Sequence, residues 1–278
     1  MAVRKIVADS SADTLGMEGV SFASAPLTIL TEEKEYVDDA ALDVAEMAED
    51  LLRYNGKSST ACPGVGEWLK AFGEAEEIFC VTITSNLSGS YNAATIAARD
   101  YMEAHPDRRV YVLDSLSTGP EMRLLLERLR NDVLAEMDFE AICEDVSAYS
   151  TRTGLLFVLE SMKNLANNGR VSKLVAKAAG ILGIRAVGKA SDIGTLEMLD
   201  KCRGAKKVPS VVVEHMQAQG YAGGAVRISH VGNEEAARNL WDAIVAQFPA
   251  ASIEVYPARG LCSFYAEKGG LLVGYEKG

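Results

Sequence analysis

The stretch from Ile78 to Met102 limits what this chain can fold into more than any other. Ile78-Phe79-Cys80-Val81-Thr82-Ile83 reads as a buried strand, Thr84-Ser85-Asn86-Leu87-Ser88-Gly89 as a tight turn rich in small hydroxyl residues, and Ser90 to Met102 as a helix. A strand that runs through a short turn into a helix opens a βαβ unit and so belongs in a parallel sheet. The first N–H groups of the helix have no internal partners and carry partial positive charge, which suits the turn to an anion. A turn of the same chemistry, Ser58-Ser59-Thr60-Ala61-Cys62-Pro63-Gly64, precedes a helical Val65 to Phe72. Two such turns facing one another hold a carboxylate or a phosphate without any Lys or Arg.

The first half repeats this rhythm. Val3 to Ala8 reads as a strand, Val20 to Leu30 as an extended segment, Ala40 to Tyr54 as a helix and Arg109 to Leu113 as a strand. Gly119 to Glu136 follows as a helix with Met122, Leu125, Leu126, Leu129 and Val133 on one stripe. A parallel sheet with helices on both faces is expected, with both hydroxyl turns at the carboxyl ends of its strands. After a helical Phe139 to Tyr149 the pattern changes. Thr153 to Leu159 is a strand, 173–182 a helix, and Arg185 to Ala190 and Thr195 to Lys201 are strands about the hairpin linker Ser191-Asp192-Ile193-Gly194. A helix from Lys206 to Gln219, a strand from Ala225 to Ser229, a helix from Glu234 to Gln247 and strands at Ser252 to Tyr256 and Leu271 to Tyr275 complete an α+β pattern. The expected organisation is a two-domain α/β fold, with a parallel-sheet α/β domain over 1–150 and an α+β domain over 151–278.

A formal net charge of −11 argues against a nucleic-acid partner, which needs a basic surface. Local basic candidates are Arg203 with Lys206 and Lys207, and Arg170 with Lys173 and Lys177. The five Cys residues are scattered and form no C-x-x-C pair, so neither a disulfide framework nor a zinc site is expected, and a cytoplasmic setting fits best. No leader segment is expected, nor any apolar run of the roughly 20 residues that cross a membrane, so the protein is not expected to be membrane-embedded.

Gly183-Ile184-Arg185-Ala186-Val187-Gly188-Lys189-Ala190 mimics a phosphate-binding loop but lacks the closing Ser or Thr that reaches Mg²⁺, and reads better as a strand entering a hairpin. There is no G-x-G-x-x-G after a strand and no G-x-S-x-G. No cofactor is therefore expected. Of the three His residues only His230, at a strand end before Gly232, is a site candidate. Asp9 and Asp114 end strands and are either acids of a site or turn formers. Ser88 is open to two readings, a helix cap or a donor to an anion.

Thr60-Ala61-Cys62-Pro63-Gly64-Val65-Gly66-Glu67-Trp68 resembles the Thr-Ser-Gln-Pro-Ser stretch of the DegV family, and Ser85-Asn86-Leu87-Ser88-Gly89-Ser90-Tyr91 resembles its Leu-Ser-Gly-Thr-Tyr turn. Ile6-Val7-Ala8-Asp9-Ser10-Ser11-Ala12-Asp13, Pro26-Leu27-Thr28 with Tyr36 and Asp38, Val112-Leu113-Asp114-Ser115 with Gly119, and Asn168-Gly169-Arg170-Val171-Ser172-Lys173 follow in family order. The resemblance implies a DegV-like fold that holds a long-chain fatty acid between two domains. Its head group would lie at Thr60, Ala61, Ser85, Ser88 and Gly89, and its chain in an apolar pocket of the second domain. Burial contributes about 0.8 kcal/mol per methylene, so roughly 14 of them give on the order of 10 kcal/mol before ordering costs. The implied role is that of a carrier rather than an enzyme. It presents the carboxylate to a separate ATP-dependent fatty acid kinase subunit for acyl phosphate formation, with Arg170 and Arg203 near the partner.

One departure stands out. Where many relatives carry His-x-Gly-Pro-Gly, with the His at the carboxylate, this chain has Ala266-Glu267-Lys268-Gly269-Gly270. Tyr265, Lys268 or a water then takes over, or the head group is held without it, or the ligand differs. A fatty acid is still expected, because chain burial outweighs one hydrogen bond of about 1 to 3 kcal/mol. The alternative is an enzyme or binding protein for a small acidic or phosphorylated metabolite at the same turns, for which only His230 or Asp114 offers a general base.

Overall fold

The computed structural model describes residues 2–173 and 183–278; all but the first residue of the helix expected over 173–182 lies outside them. In the first half, successive residues of each apolar strand turn to opposite faces, so one strand feeds two cores. Strands β1 (Arg4–Asp9), β2 (Phe22–Ala25), β6 (Glu77–Thr82) and β7 (Arg109–Asp114) form a parallel sheet in the order β2-β1-β6-β7. Val7, Ile78 and Cys80 pack with Trp68 and Phe72 of α2 (Val65–Phe72) and with Ala94, Ala97 and Tyr101 of α3 (Ser90–Ala104). Ile6, Ala8, Phe79 and Val81 meet Met122, Leu125 and Leu129 of α4 (Gly119–Leu134) and Ile142 and Val146 of α5 (Phe139–Ser150) on the other side.

The extended segment expected over 20–30 is two strands. Pro26 has no N–H to give a ladder, and the chain turns there into β3 (Thr28–Leu30). With β4 (Glu35–Val37) and β5 (Ser59–Ala61), β3 makes a small antiparallel sheet that sets Thr60 opposite Ile29. The first hydroxyl turn therefore begins as an edge strand of this sheet and does not follow a strand of the parallel one, contrary to expectation. Met47 of α1 (Val44–Arg53) closes the small sheet against Ile29 and Tyr36.

The second half is a six-stranded mixed sheet. Its strands are β8 (Thr153–Leu159), β9 (Ile184–Ala190), β10 (Leu196–Arg203), β11 (Tyr221–His230), β12 (Ser252–Pro257) and β13 (Leu271–Lys277), in the order β10-β9-β8-β13-β11-β12. The phosphate-loop mimic is β9, antiparallel to both neighbours. Along β8 the period of two divides the side chains: Leu156 and Val158 join the core under α7 (Val208–Ala218) and α8 (Glu234–Gln247), while Leu155, Phe157 and Leu159 face the first half. On that second face lie α6 (Lys163–Asn167) and α9 (Gly260–Ala266), too short for a helical period to stand out in the chain.

Two features lock the halves together. The start of α4 lies directly on β13, where a Cβ on Gly274 would be 2.4 Å from the Pro120 carbonyl carbon, so only glycine fits. At the start of α9, Asp38 accepts the Gly260 and Leu261 N–H groups at 3.1 and 2.9 Å, and Asp13 accepts the Arg259 N–H at 2.8 Å. Both carboxylates are buried. Burial pushes Asp13 up to about 7, with the nearby Asp38 charge adding to the rise. In the unfolded chain an Asp titrates near 3.9, so folding favours the protonated form of Asp13. This contribution is complete below about pH 4 and is lost as pH rises to about 7. Asp13→Asn keeps the acceptor for Arg259 and removes the titration. Urea unfolding at pH 4 and pH 8 should show the variant gaining up to about 4 kcal/mol on the parent across that interval; a difference independent of pH would refute the assignment.

Candidate ligand-binding cavity

A cavity of about 330 Å³ lies between the inner face of the six-stranded sheet and the turns of the first half. Leu155, Phe157 and Leu159 line it along β8 over about 13 Å, at the usual rise per strand residue. Leu165 of α6, Leu196 of β10, Leu272 of β13 and Leu261 of α9 continue the apolar wall, and Leu27 and Ile83 close it from the first half.

Its polar groups come from the two hydroxyl turns, α9 and the segment after α6. Thr60, Ala61, Cys62, Ser88, Gly89, Tyr265, Ala266 and Arg170 all lie in the wall. The two turns touch, since a Cβ on Gly89 would lie 3.2 Å from Cys62 Sγ. Thr60 Oγ1 and the Tyr265 hydroxyl are 2.7 Å apart. Arg170 donates from Nε to the Leu87 carbonyl at 3.1 Å and from Nη1 to the Asn168 carbonyl at 2.5 Å, with its guanidinium carbon 6.0 Å from the Tyr265 ring centre. Burial pushes the Tyr265 phenol up, partly offset by the Thr60 hydrogen bond and the Arg170 charge, so it stays a neutral donor.

Two acids position the second turn, Asp9 buried and Asp114 partly exposed. Asp9 accepts hydrogen bonds from the Ile83 N–H at 2.9 Å and from the Ser90 hydroxyl at 2.6 Å, joining the ends of β1 and β6 to the start of α3. It also accepts the Ser11 N–H at 3.2 Å. Burial pushes its carboxyl above the usual range while these bonds pull the other way. Asp114 accepts the Ser85 and Leu116 N–H groups, each at 3.1 Å, which makes it a turn former. Ser88 Oγ accepts the Ser90 N–H at 3.3 Å, a local turn bond from the residue before the Gly89 helix cap, and its own O–H remains to donate.

The structure brings Thr60, Ala61, Ser88, Gly89 and Ala266 together and leaves Ser85 outside the wall, exposed, with its N–H on Asp114. Arg170 stands in the wall, so the polar end has a cation that the two turns by themselves do not supply. Arg203 is exposed at the end of β10. His230 accepts the Asn233 N–H on Nδ1 at 3.3 Å, and partial burial pulls its pKa down. It lies outside the wall. Leu27, Thr118, Leu261 and Cys262 line the cavity without any sequence signal that groups them, because α9 and the turns meet only in three dimensions.

Among the described residues Arg170 is the one charged side chain in the wall, and no group of His, Cys, Asp or Glu is arranged to hold a metal ion. Among them, too, no helix is long and apolar enough to cross a membrane. Hydroxyl donors and a guanidinium beside an apolar cavity suit an amphiphile with one anionic end.

A family model described as an uncharacterised protein of the DegV family matches residues 4–277. A DegV domain-containing protein of Streptococcus pneumoniae is 45% identical over 276 residues, 98% of each chain. Among solved structures, a DegV family protein from Eubacterium eligens loaded with heptadecanoic acid superposes with a TM-score of 0.97 at 45% identity, covering 99% of this chain and 100% of the other. The Streptococcus pneumoniae fatty acid kinase B3 protein loaded with linoleic acid gives a TM-score of 0.97 at 44% identity, with the same coverage.

Tyr265→Phe removes the hydroxyl that pairs with Thr60 while keeping the ring. Denaturant unfolding should show a loss of about 1 kcal/mol; an unchanged midpoint would mean that the pair contributes nothing to the fold.

Proposed function

The chain belongs to the DegV family, and on that premise we propose that it binds a long-chain fatty acid between its two halves and presents the carboxylate to a separate ATP-dependent kinase subunit for acyl phosphate formation. The observation that carries this reading is the cavity itself: leucines and Phe157 along its length, and Thr60, Ser88, Tyr265 and Arg170 among its polar groups. Proteins 44 and 45% identical over nearly the whole chain hold linoleic and heptadecanoic acid, and one of them is the B3 protein of a fatty acid kinase.

In this reading Thr60 and Ser88 donate to the carboxylate, Gly89 and Ala61 let the two turns approach it, and Arg170 supplies the positive field. Tyr265, through its hydroxyl at Thr60, takes the place of the His that many relatives carry where this chain has Ala266. The chain is a cytoplasmic carrier without a cofactor, and catalysis belongs to the kinase subunit. Arg203 offers an exposed charge to that partner. Units over 1–150 and 151–278 close on the ligand from either side. A small acidic metabolite fits less well, since it would leave most of the apolar wall unfilled.

Replacing Thr60 and Ser88 together by Ala removes two charge-assisted hydrogen bonds of roughly 1.5 to 3 kcal/mol each, and the turn bond from the Ser90 N–H to Ser88 as well. Isothermal titration with a long-chain fatty acid should show affinity falling at least a hundredfold while circular dichroism stays native. Full affinity in the double variant would remove both hydroxyls from the head-group site.

A further inference from the structure

The turn that carries Ser88 and Gly89 is fastened to a hairpin from the other half of the chain. Asn86 Nδ2 donates to the Ile193 carbonyl at 2.7 Å, and Thr84 Oγ1 donates to the Gly194 carbonyl at 2.9 Å. Ile193 and Gly194 form the tip between β9 and β10, and β10 contributes Leu196 to the cavity wall. The fit leaves no slack. A Cβ on Gly194, whose φ is +74°, would lie 2.1 Å from Thr84 Oγ1 and 2.9 Å from Leu116 Cα. Leu116 itself holds a φ of +52°, in the left-handed region that branched side chains avoid, and Asp114 secures it through the Leu116 N–H. Three turns, 84–89, 114–117 and 191–194, thus meet at one point. The Leu87 and Ser88 N–H groups both bond back to the Thr84 carbonyl at 3.2 Å, so Thr84 transmits its position to the head-group end of the turn.

We propose that Asn86 and Thr84 are positioning residues: by clasping the hairpin tip at Ile193 and Gly194 they hold Ser88 and Gly89 where an anionic head group is bound. This rests on the carrier reading above. A clasp of this kind makes a specific demand. It governs recognition of the carboxylate more than of the chain, because the apolar wall lies mostly on β8, α6, α9 and β13, and the hairpin adds Leu196 to it. It also gives the second half a backbone route to the anion site, beside the Tyr265 and Arg170 side chains that it places there.

Two measurements on Asn86→Ala and Thr84→Val test the proposal. The first substitution is at an exposed residue, and the second removes the hydroxyl with little change of shape. Titration with a long-chain fatty acid and with the primary alcohol of the same chain should show the acid weakened about tenfold and the alcohol by less than twofold. Equal losses for both, or none for the acid, would overturn it. In the unliganded protein, hydrogen exchange at Leu87 to Gly89 should speed up at least fivefold in both variants; unchanged exchange would overturn the clasp whatever the ligand. If the parent protein binds neither acid nor alcohol, the carrier reading fails, and the exchange result alone decides whether the clasp holds the turn.

Discussion

The cavity depends on two carboxylates buried near the start of the chain. A desolvated Asp is costly unless it finds donors, and a helix N-terminus has donors without partners. Asp38 and Asp13 meet this need with the N–H groups of Arg259, Gly260 and Leu261, more than 200 residues away along the chain. Each side satisfies the other, so α9 can lie only where both acids reach it. With α9 fixed, Leu261, Cys262, Tyr265 and Ala266 take their places in the wall, and Tyr265 arrives within hydrogen-bond distance of Thr60.

A similar exchange organises the second turn. Asp9, at the end of β1, accepts from Ile83, just after β6, and from the first residue of α3, so the parallel sheet sets the direction in which Ser88 and Gly89 leave it. The sequence shows Asp9 and Asp114 as acids at strand ends, and acids of this kind invite a catalytic reading. Here the oxygens of Asp9 and Asp114 are taken up by backbone N–H groups and serine hydroxyls. Their chemistry is spent on architecture, and the groups in the cavity wall are hydroxyls, two thiols, one guanidinium and carbon.

Much of this was legible from the chain alone, where local chemistry decides. The apolar runs of β1, β6 and β8 and the stripe on α4 marked strands and a helix, and the hydroxyl turns stood out by composition. What stayed hidden depends on contacts distant in sequence. Ser85 and Ser88 look alike in the chain, yet Asp114 draws the Ser85 N–H outward while Ser88 lines the cavity. The turn at Thr60 reads as the end of a parallel strand, but pairing with β3 makes it an edge. Arg170 looks like a surface charge, and the Leu87 and Asn168 carbonyls hold it in the cavity wall. The short helices α6 and α9 have too few turns to show a period.

The central claim is that an acyl chain lies along Leu155, Phe157 and Leu159 with its carboxylate at Thr60 and Ser88. A crystal structure of the protein grown with a long-chain fatty acid tests this most directly. The expected result is continuous density along β8, ending in a carboxylate within about 3.2 Å of both hydroxyl oxygens. Density that places the carboxylate at the opposite end of the cavity, or a cavity that stays unfilled at saturating ligand, would contradict it.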